Sequence, residues 1–236
     1  MKQATKSPAK VVPGAANVSN MEADMKFKIT EAYKTIRTNI QFTILKEGCK
    51  KIVISSSLPG EGKSTMSVNI AISLAQTSAK VLLIDSDLRR PKVHRFLNLP
   101  NAPGVTNLLG GLSSLQQVLH DTQYPNLKVI CAGVSVPNPS ELLASQQMLS
   151  WLEQLESMFD YIIIDSTPLN VVSDALPLIK NSDGVILVVR ENKSTYPELE
   201  KSVKNLEMID AKILGAIING SIGSGKSGYT YTYNYS

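Results

Sequence analysis

The chain has 236 residues, of which 43% are hydrophobic and 19% are charged. This balance supplies a sizeable core and excludes a wholly disordered protein. A formal net charge of +4 is too small to indicate a nucleic-acid partner, and we expect none. The two cysteines, Cys49 and Cys131, give neither a disulfide framework nor a metal-binding spacing. No run approaches the roughly 18 apolar residues of a membrane span, and no signal peptide is recognisable, so we expect a cytoplasmic protein.

Composition divides the chain into three regions. Residues 1–25 are rich in Lys, Ala, Pro, Ser and Asn without periodicity, which predicts a flexible leader. Residues 26–220 form the predicted domain, which opens with a helix over about 25–45 because apolar residues recur there at steps of three and four. Residues 221–236 begin as a Gly/Ser linker and end in a segment with tyrosines at alternate positions.

Short β-branched runs alternate with helical patterns through the domain. The strand runs lack polar alternation, so both faces of the sheet are expected to be buried under helices. The sequence therefore predicts an α/β, three-layer fold with a mostly parallel central sheet flanked by helices. The predicted strands cover 51–56, 80–84, 127–131, 161–164, 184–189 and 212–218, and the predicted helices cover 63–76, 140–158, 172–180 and 197–206.

A glycine-rich turn follows the first of these strands. It reads Ser57-Leu-Pro-Gly-Glu-Gly-Lys-Ser-Thr65 and matches the P-loop pattern with Ser57 in place of the first glycine. The predicted three-layer fold is therefore that of a P-loop NTPase. Glycines allow main-chain amides to close around phosphate oxygens, and the start of a helix favours an anion. Lys63 can reach the β- and γ-phosphates, and the Ser64 hydroxyl can ligate Mg²⁺. The residues predicted to bind ATP or ADP are Pro59, Gly60, Glu61, Gly62, Lys63, Ser64 and Thr65. A second Gly-Lys-Ser at 225–227 has no helical pattern after it and is interpreted as linker.

Three aspartates follow apolar strands. Asp85 and Asp87 come after the run at 81–84, and Asp165 comes after the run at 161–164. A single aspartate in such a place is often a helix N-cap or a turn residue. In a P-loop protein, however, ligands collect at the carboxyl ends of parallel strands, so all three are expected to face the phosphate loop. An apolar strand that ends in Asp is also typical of a second Mg²⁺-organising residue.

These motifs together resemble the bacterial tyrosine kinases of capsule and exopolysaccharide systems. The resemblance rests on the phosphate loop, on Leu-Leu-Ile-Asp85-Ser-Asp87-Leu-Arg-Arg-Pro and on Ile-Ile-Ile-Asp165-Ser-Thr-Pro. The predicted N-terminal helix also looks like the oligomerisation helix of that family. Its predicted oligomerisation residues are Glu31, Lys34 and Arg37, and Lys34 stands where the family often has arginine.

The resemblance implies roles for individual residues. Lys63 holds ATP phosphates, while Ser64, Asp87 and Asp165 organise Mg²⁺. Asp85 is the candidate base toward the tyrosine hydroxyl, with the division of work between Asp85 and Asp87 left open. Asn219 is expected to contact adenine or, alternatively, to form an Asn-Gly turn.

The resemblance also implies partners. A member of this type without a membrane domain would work with a separate transmembrane activator of a polysaccharide export system. It would assemble into a ring-like homo-oligomer at the inner face of the membrane, and a cognate tyrosine phosphatase would reverse its phosphorylation.

The tyrosine-rich segment is the predicted substrate. Tyr229, Tyr231, Tyr233 and Tyr235 are the candidate autophosphorylation sites, although four tyrosines at alternate positions also fit an edge strand. The competing function is a P-loop ATPase switch of the chromosome-partitioning and division-site type. That class carries a signature lysine at the position of Leu58, and leucine cannot stabilise developing phosphate charge.

Overall fold

The computed structural model of the protein describes residues 15–220. A seven-stranded sheet has the order β3-β4-β2-β5-β1-β6-β7. The strands are β1 Lys50–Ser56, β2 Val81–Asp85, β3 His120–Asp121, β4 Leu127–Ile130, β5 Tyr161–Asp165, β6 Gly184–Arg190 and β7 Ile213–Asn219. The helices are α1 Ala15–Thr43, α2 Lys63–Ala75, α3 Val93–Phe96, α4 Val105–Leu109, α5 Leu115–Val118, α6 Pro139–Leu143, α7 Gln146–Glu156, α8 Leu176–Lys180 and α9 Tyr196–Glu207.

Every strand pair is parallel except the short antiparallel pair β3–β4 at one edge. Successive residues of the central strands enter two different cores. Ile52 and Ile54 pack with α2 on one face, whereas Val53 packs with α7 and α8 on the other. Because both faces are covered, the strands read as continuous apolar runs. The predicted three-layer α/β fold with a mostly parallel sheet is confirmed.

The six predicted strands are all present, and the structure corrects several helix boundaries. The predicted helix at 140–158 is divided into α6 and α7, because the Ser145 hydroxyl caps a new start by accepting a hydrogen bond from the Met148 amide at 3.2 Å. The predicted helix at 172–180 begins only at Leu176, with Pro177 in its first turn, where proline is tolerated. The edge strand β3 was not predicted, since two residues carry no periodic signal.

The first helix is longer than predicted. It begins at Ala15, inside the segment assigned to the leader, so the predicted boundary at residue 25 is wrong. Residues 15–24 mix good helix formers (three alanines, Met21 and Glu22) with poorer ones such as asparagine and serine, so propensity there gives only a weak helix signal. The rest of the leader and the predicted tail at 221–236, with its four tyrosines, lie outside the described residues.

The second half of α1 packs against α2. Ile40 and Ile44 are buried, and the Arg37 guanidinium donates a hydrogen bond to the carbonyl oxygen of Ser73 at 2.9 Å. Lys34 instead forms a 2.7 Å ion pair with Glu31 on the exposed side of the same helix. Thus Arg37, a predicted oligomerisation residue, anchors α1 to its own domain, while Glu31 and Lys34 face solvent. Between residues 15 and 220, no helix combines the length and apolar character needed to cross a membrane.

We expect Ile163→Ala to lower the free energy of unfolding by about 2–5 kcal/mol, because Ile163 is fully buried in the central strand β5 and truncation leaves a cavity. Ile29→Ala is the control, since Ile29 is 51% exposed on α1 and its loss should change stability by no more than about 0.5 kcal/mol. Denaturant unfolding measures both. Equal effects would contradict the assignment of the core.

Candidate nucleotide site

The phosphate loop joins β1 to α2 at the carboxyl edge of the sheet. Gly60 and Gly62 adopt positive φ angles of 78° and 101°, which side-chain-bearing residues rarely adopt. Gly62 is the N-cap of α2, and no side chain caps the helix there. The first turn also contains no acidic residue. The amides of this turn are therefore available to an anion, as in other phosphate-binding helix starts.

Lys63, the first residue of α2, forms a buried ion pair. Its ammonium nitrogen lies 2.6 Å from Oδ2 of Asp87, and both side chains are less than one tenth exposed. Burial lowers the pKa of Lys63, but the charges of Asp165 and Asp87 outweigh burial and raise the pKa above its ordinary value. Lys63 is therefore charged at neutral pH and stands ready for a phosphate.

Asp165 ends β5 beside the same loop. It is fully buried, and its Oδ1 accepts a hydrogen bond from the Ser67 hydroxyl at 3.0 Å. Among the described residues, its Oδ2 has no hydrogen-bond partner, and neither does the buried Thr167 hydroxyl. Burial raises the pKa of Asp165, while the Lys63 charge and the Ser64 and Ser67 hydroxyls oppose that shift. An unpartnered buried carboxylate oxygen is costly, and a cation would satisfy it.

Asp85 pairs in register with Asp165 on the adjacent strand. Its Oδ2 accepts hydrogen bonds from the amides of Lys92 and Val93 at 3.1 and 3.0 Å, and its Oδ1 accepts one from the amide of Asp87 at 3.2 Å. Burial, followed by the charge of Asp165, raises the pKa of Asp85 to about 7. The three predicted aspartates therefore meet at one edge of the sheet, but only Asp87 contacts Lys63 directly.

Asn219 lies over the phosphate loop. Its side-chain amide donates a hydrogen bond to the carbonyl oxygen of Glu61 at 2.8 Å, and a Cβ on Gly62 would overlap that amide. Glu61 is fully buried, and its carboxylate accepts hydrogen bonds from the Leu58 amide at 2.8 Å and from the Ser194 hydroxyl. Of the predicted binding residues, Glu61 and Asn219 thus use their side chains to hold the loop itself.

A clamp on the phosphate loop, formed by Arg190 and Lys193, was not predicted from the sequence. Arg190, the last residue of β6, donates to the Gly60 carbonyl at 3.1 Å, and Lys193, in the turn that follows, donates to the Pro59 carbonyl at 2.6 Å. The polar residues after β6 were a usable signal, because they follow the carboxyl end of a parallel strand.

Ser57, which replaces the first glycine of the pattern, belongs to a second unpredicted contact. Its hydroxyl lies 2.8 Å from that of Ser202 on α9, and both residues are buried. The departure from the pattern was visible in the sequence, but its partner was not.

A third unpredicted contact holds the turn after β2. Arg89 donates to both carboxylate oxygens of Asp174, at 2.6 and 3.1 Å, and the Ser140 hydroxyl donates to the same carboxylate. Burial raises the pKa of Asp174, but hydrogen bonds from Arg89 and Ser140 outweigh burial and lower the pKa below its ordinary value. These contacts fix the turn after β2 against the loop before α8 and the first turn of α6.

The donor set fits a magnesium ion shared with phosphates. No cluster of three or more His, Cys, Asp and Glu side chains suited to a metal occurs in residues 15–220. Mg²⁺ does not need one, since it binds through one or two carboxylates, waters and substrate phosphates. The free oxygen of Asp165 and the neighbouring Ser64 hydroxyl offer that arrangement.

Comparisons with known proteins agree with this geometry. A family model described as an AAA domain matches residues 49–218. The tyrosine-protein kinase YwqD of Bacillus subtilis is 40% identical over 86% of this chain and 85% of its own length. The putative tyrosine-protein kinase CapB of Staphylococcus aureus is 35% identical over 88% and 91% of the two chains. The solved kinase domain of the Escherichia coli tyrosine kinase ETK superposes with a TM-score of 0.80 at 33% identity, covering 86% of this chain and 80% of that one. With a phosphate loop of the required geometry and relatives aligned over most of its length, the chain belongs to the bacterial tyrosine-protein kinases.

Proposed function

We propose that the protein transfers the γ-phosphate of ATP to tyrosines of its own C-terminal segment, namely Tyr229, Tyr231, Tyr233 and Tyr235. We propose further that this reaction regulates the synthesis and export of a capsular polysaccharide or exopolysaccharide. The observation that carries the proposal is the buried Lys63–Asp87 pair beside the free carboxylate oxygen of Asp165. A lysine held charged at the start of a helix suits a triphosphate, and the free oxygen suits its metal.

The phosphate loop binds the nucleotide through its main chain. The residues from Gly60 to Thr65 supply the amide donors, and Lys63 exchanges its contact with Asp87 for one with a phosphate oxygen. Asn219, at the end of β7, contacts the loop from the side on which we expect the adenine. Since little covalent chemistry falls to the protein in phosphoryl transfer, this positioning and the charge of Lys63 supply most of the rate enhancement.

Mg²⁺ would be held by Ser64, Asp87 and Asp165, and it would neutralise the charge on the phosphates. Asp165 contributes the oxygen that has no protein partner, and Asp87 becomes available once Lys63 turns to the phosphate. Ser67 holds the second oxygen of Asp165 and thereby fixes the orientation of the carboxylate.

Asp85 is the proposed base. A tyrosine hydroxyl has a pKa near 10, so a base near the transferring phosphate assists the attack. The pKa of Asp85, about 7, suits this task because an effective base titrates near the working pH. Oδ2 of Asp85 accepts two main-chain hydrogen bonds and Oδ1 accepts one, so Oδ1 keeps a lone pair that can receive the proton.

Partners follow from the same proposal. A transmembrane activator of a polysaccharide export system would bring the kinase to the inner face of the membrane. The exposed Glu31 and Lys34 of α1 would take part in a ring-like homo-oligomer, in which the tyrosine segment of one subunit reaches the site of its neighbour. A cognate tyrosine phosphatase would remove the phosphates.

The second candidate is an ATPase switch that controls a membrane partner without phosphorylating tyrosine. It would share the phosphate loop and the fold. The leucine at position 58, where partitioning ATPases carry their signature lysine, weighs against it.

Gly62→Ala should weaken ATP binding by more than about tenfold, which corresponds to about 1.4 kcal/mol. The added methyl overlaps the Asn219 amide and shifts the phosphate loop. Gly48→Ala is a matched control because Gly48 also has a positive φ, of 76°, but has open space around its Cβ position. Titration with a fluorescent ATP analogue measures both variants. An equal loss of ATP affinity in the two variants would show that strain at a positive-φ position causes the loss, whether or not that position lies in the phosphate loop.

Incubation of the full chain with Mg·ATP should add phosphate to residues 229–235, detected by mass spectrometry of the C-terminal peptide. Lys63→Met should abolish the signal because the phosphate loses its buried cation. Lys226→Met, in the second Gly-Lys-Ser of the chain, should retain it. An ATP-bound chain without phosphotyrosine would favour the switch.

The rate of autophosphorylation at limiting ATP should rise with pH through about 7 and then level off, since Asp85 accepts a proton only when ionised. Asp85→Asn should lower the rate by at least about a hundredfold and remove this inflection, with ATP affinity retained. Initial rates from pH 5.5 to 9 test this. An inflection that persists in the variant would assign the base to another group.

A further inference from the structure

The two edges of the sheet differ in how they are protected. The edge strand β3 has two residues, His120 and Asp121, and is too short to recruit another strand. The opposite edge strand, β7, has seven residues, Ile213–Asn219, without a charge or a proline. Within the part of the chain that the structure describes, no strand pairs with its outer side. Natural proteins cover or charge such edges because they readily pair with another strand.

An apolar groove lies beside β7 on the side of α1. It encloses about 140 Å³ and is lined by α1, β6 and β7, with Ile36, Ile40, Ile186, Leu214 and Ile217 among its residues. Gly215 leaves the groove open toward the edge, because a Cβ there would meet no atom within 4 Å. Ile218, which is 66% exposed, adds uncovered apolar surface on the opposite face of the same edge strand.

We propose that residues 229–235 of the same chain pair with the outer edge of β7 as an antiparallel strand, with their tyrosine rings over the groove. The segment and β7 have the same length of seven residues. Residues 220–228 connect them, rich in glycine and serine, and a flexible connection of this length can reverse the chain. Because the segment follows β7 directly, closing the loop costs little entropy.

The alternation of the segment fits an edge position. Tyrosines at every second residue lie on one face of a strand, and the intervening Thr230, Thr232 and Asn234 lie on the other. A tyrosine ring can cover apolar surface while its hydroxyl stays in water at the rim. Main-chain hydrogen bonds to β7 supply the affinity, and the apolar groove determines that the tyrosine face of the segment points toward it.

Pairing of the segment with β7 also affects autophosphorylation, a consequence that rests on the proposed function. Tyrosines held along β7 cannot enter the phosphate site, so the paired form limits autophosphorylation. Each phosphate adds about −1.5 to −2 charges, and phosphates on alternate residues lie on one face of the strand and repel one another, so a phosphorylated segment leaves the edge.

Hydrogen exchange of the full chain without nucleotide tests the pairing. The amides of residues 214–218 that point away from β6 should exchange at least about tenfold more slowly in the full chain than in a chain ending at Gly220. Successive amides of a strand point to opposite sides, so Tyr231→Pro combined with Thr232→Pro removes one donor from each side. The exchange rates of this double variant should match those of the shortened chain. Tyr231→Phe combined with Thr232→Ser keeps both donors and should match the full chain. Equal exchange in all four proteins would overturn the proposal.

Two further outcomes would also overturn it. If the protection of the β7 amides grows with protein concentration, a second copy of the chain pairs with this edge. If the protection survives shortening at Gly220, another segment of the chain covers it. Because these measurements use no ATP, they stand even if the chain lacks kinase activity. With Mg·ATP, the proline variant should phosphorylate Tyr229 and Tyr235 faster than the Phe/Ser variant, and equal rates would remove the inhibitory role alone.

Discussion

The buried ion pair between Lys63 and Asp87 is the interaction on which the site depends. Burying a charge is unfavourable unless it is paired, and here one lysine lies among three aspartates that are almost inaccessible to solvent. Burial, with a smaller contribution from the neighbouring carboxylates, raises the pKa values of Asp85 and Asp165. The site has fewer positive than negative side chains, and one carboxylate oxygen has no partner, so it is suited to a divalent cation. The amides at the start of α2 are suited to the anion that accompanies this cation.

The parallel sheet explains how residues distant in sequence meet at this site. The phosphate loop and the three aspartates all follow strands that run in the same direction, so they leave the sheet at one edge. This part of the site could be predicted from the sequence, because each signal is local: an apolar run followed by glycines or by an aspartate. The resemblance to a kinase family also rested on these local motifs.

The remaining features depend on neighbours that are not close in sequence. The Ser57–Ser202 contact, the Arg89–Asp174 pair and the clamp from Arg190 and Lys193 each join segments far apart in the chain. The predicted helix boundaries were wrong for a related reason. The serine cap at residue 145 and the proline at 177 compete with apolar periodicity, and periodicity alone extends a helix through them. The early start of α1 was missed because propensity without an apolar stripe gives a weak signal.

The clamp on the outer side of the phosphate loop has a consequence for the speed and selectivity of binding. With the carbonyl oxygens of Pro59, Gly60 and Glu61 already bound by Lys193, Arg190 and Asn219, the peptide planes of the loop are fixed before any nucleotide arrives. An incoming phosphate then displaces water from a rigid receptor and does not have to reshape a mobile turn. Such a receptor loses little entropy on capture and discriminates by fit, so nucleotides with a different phosphate geometry gain no help from adaptation of the loop.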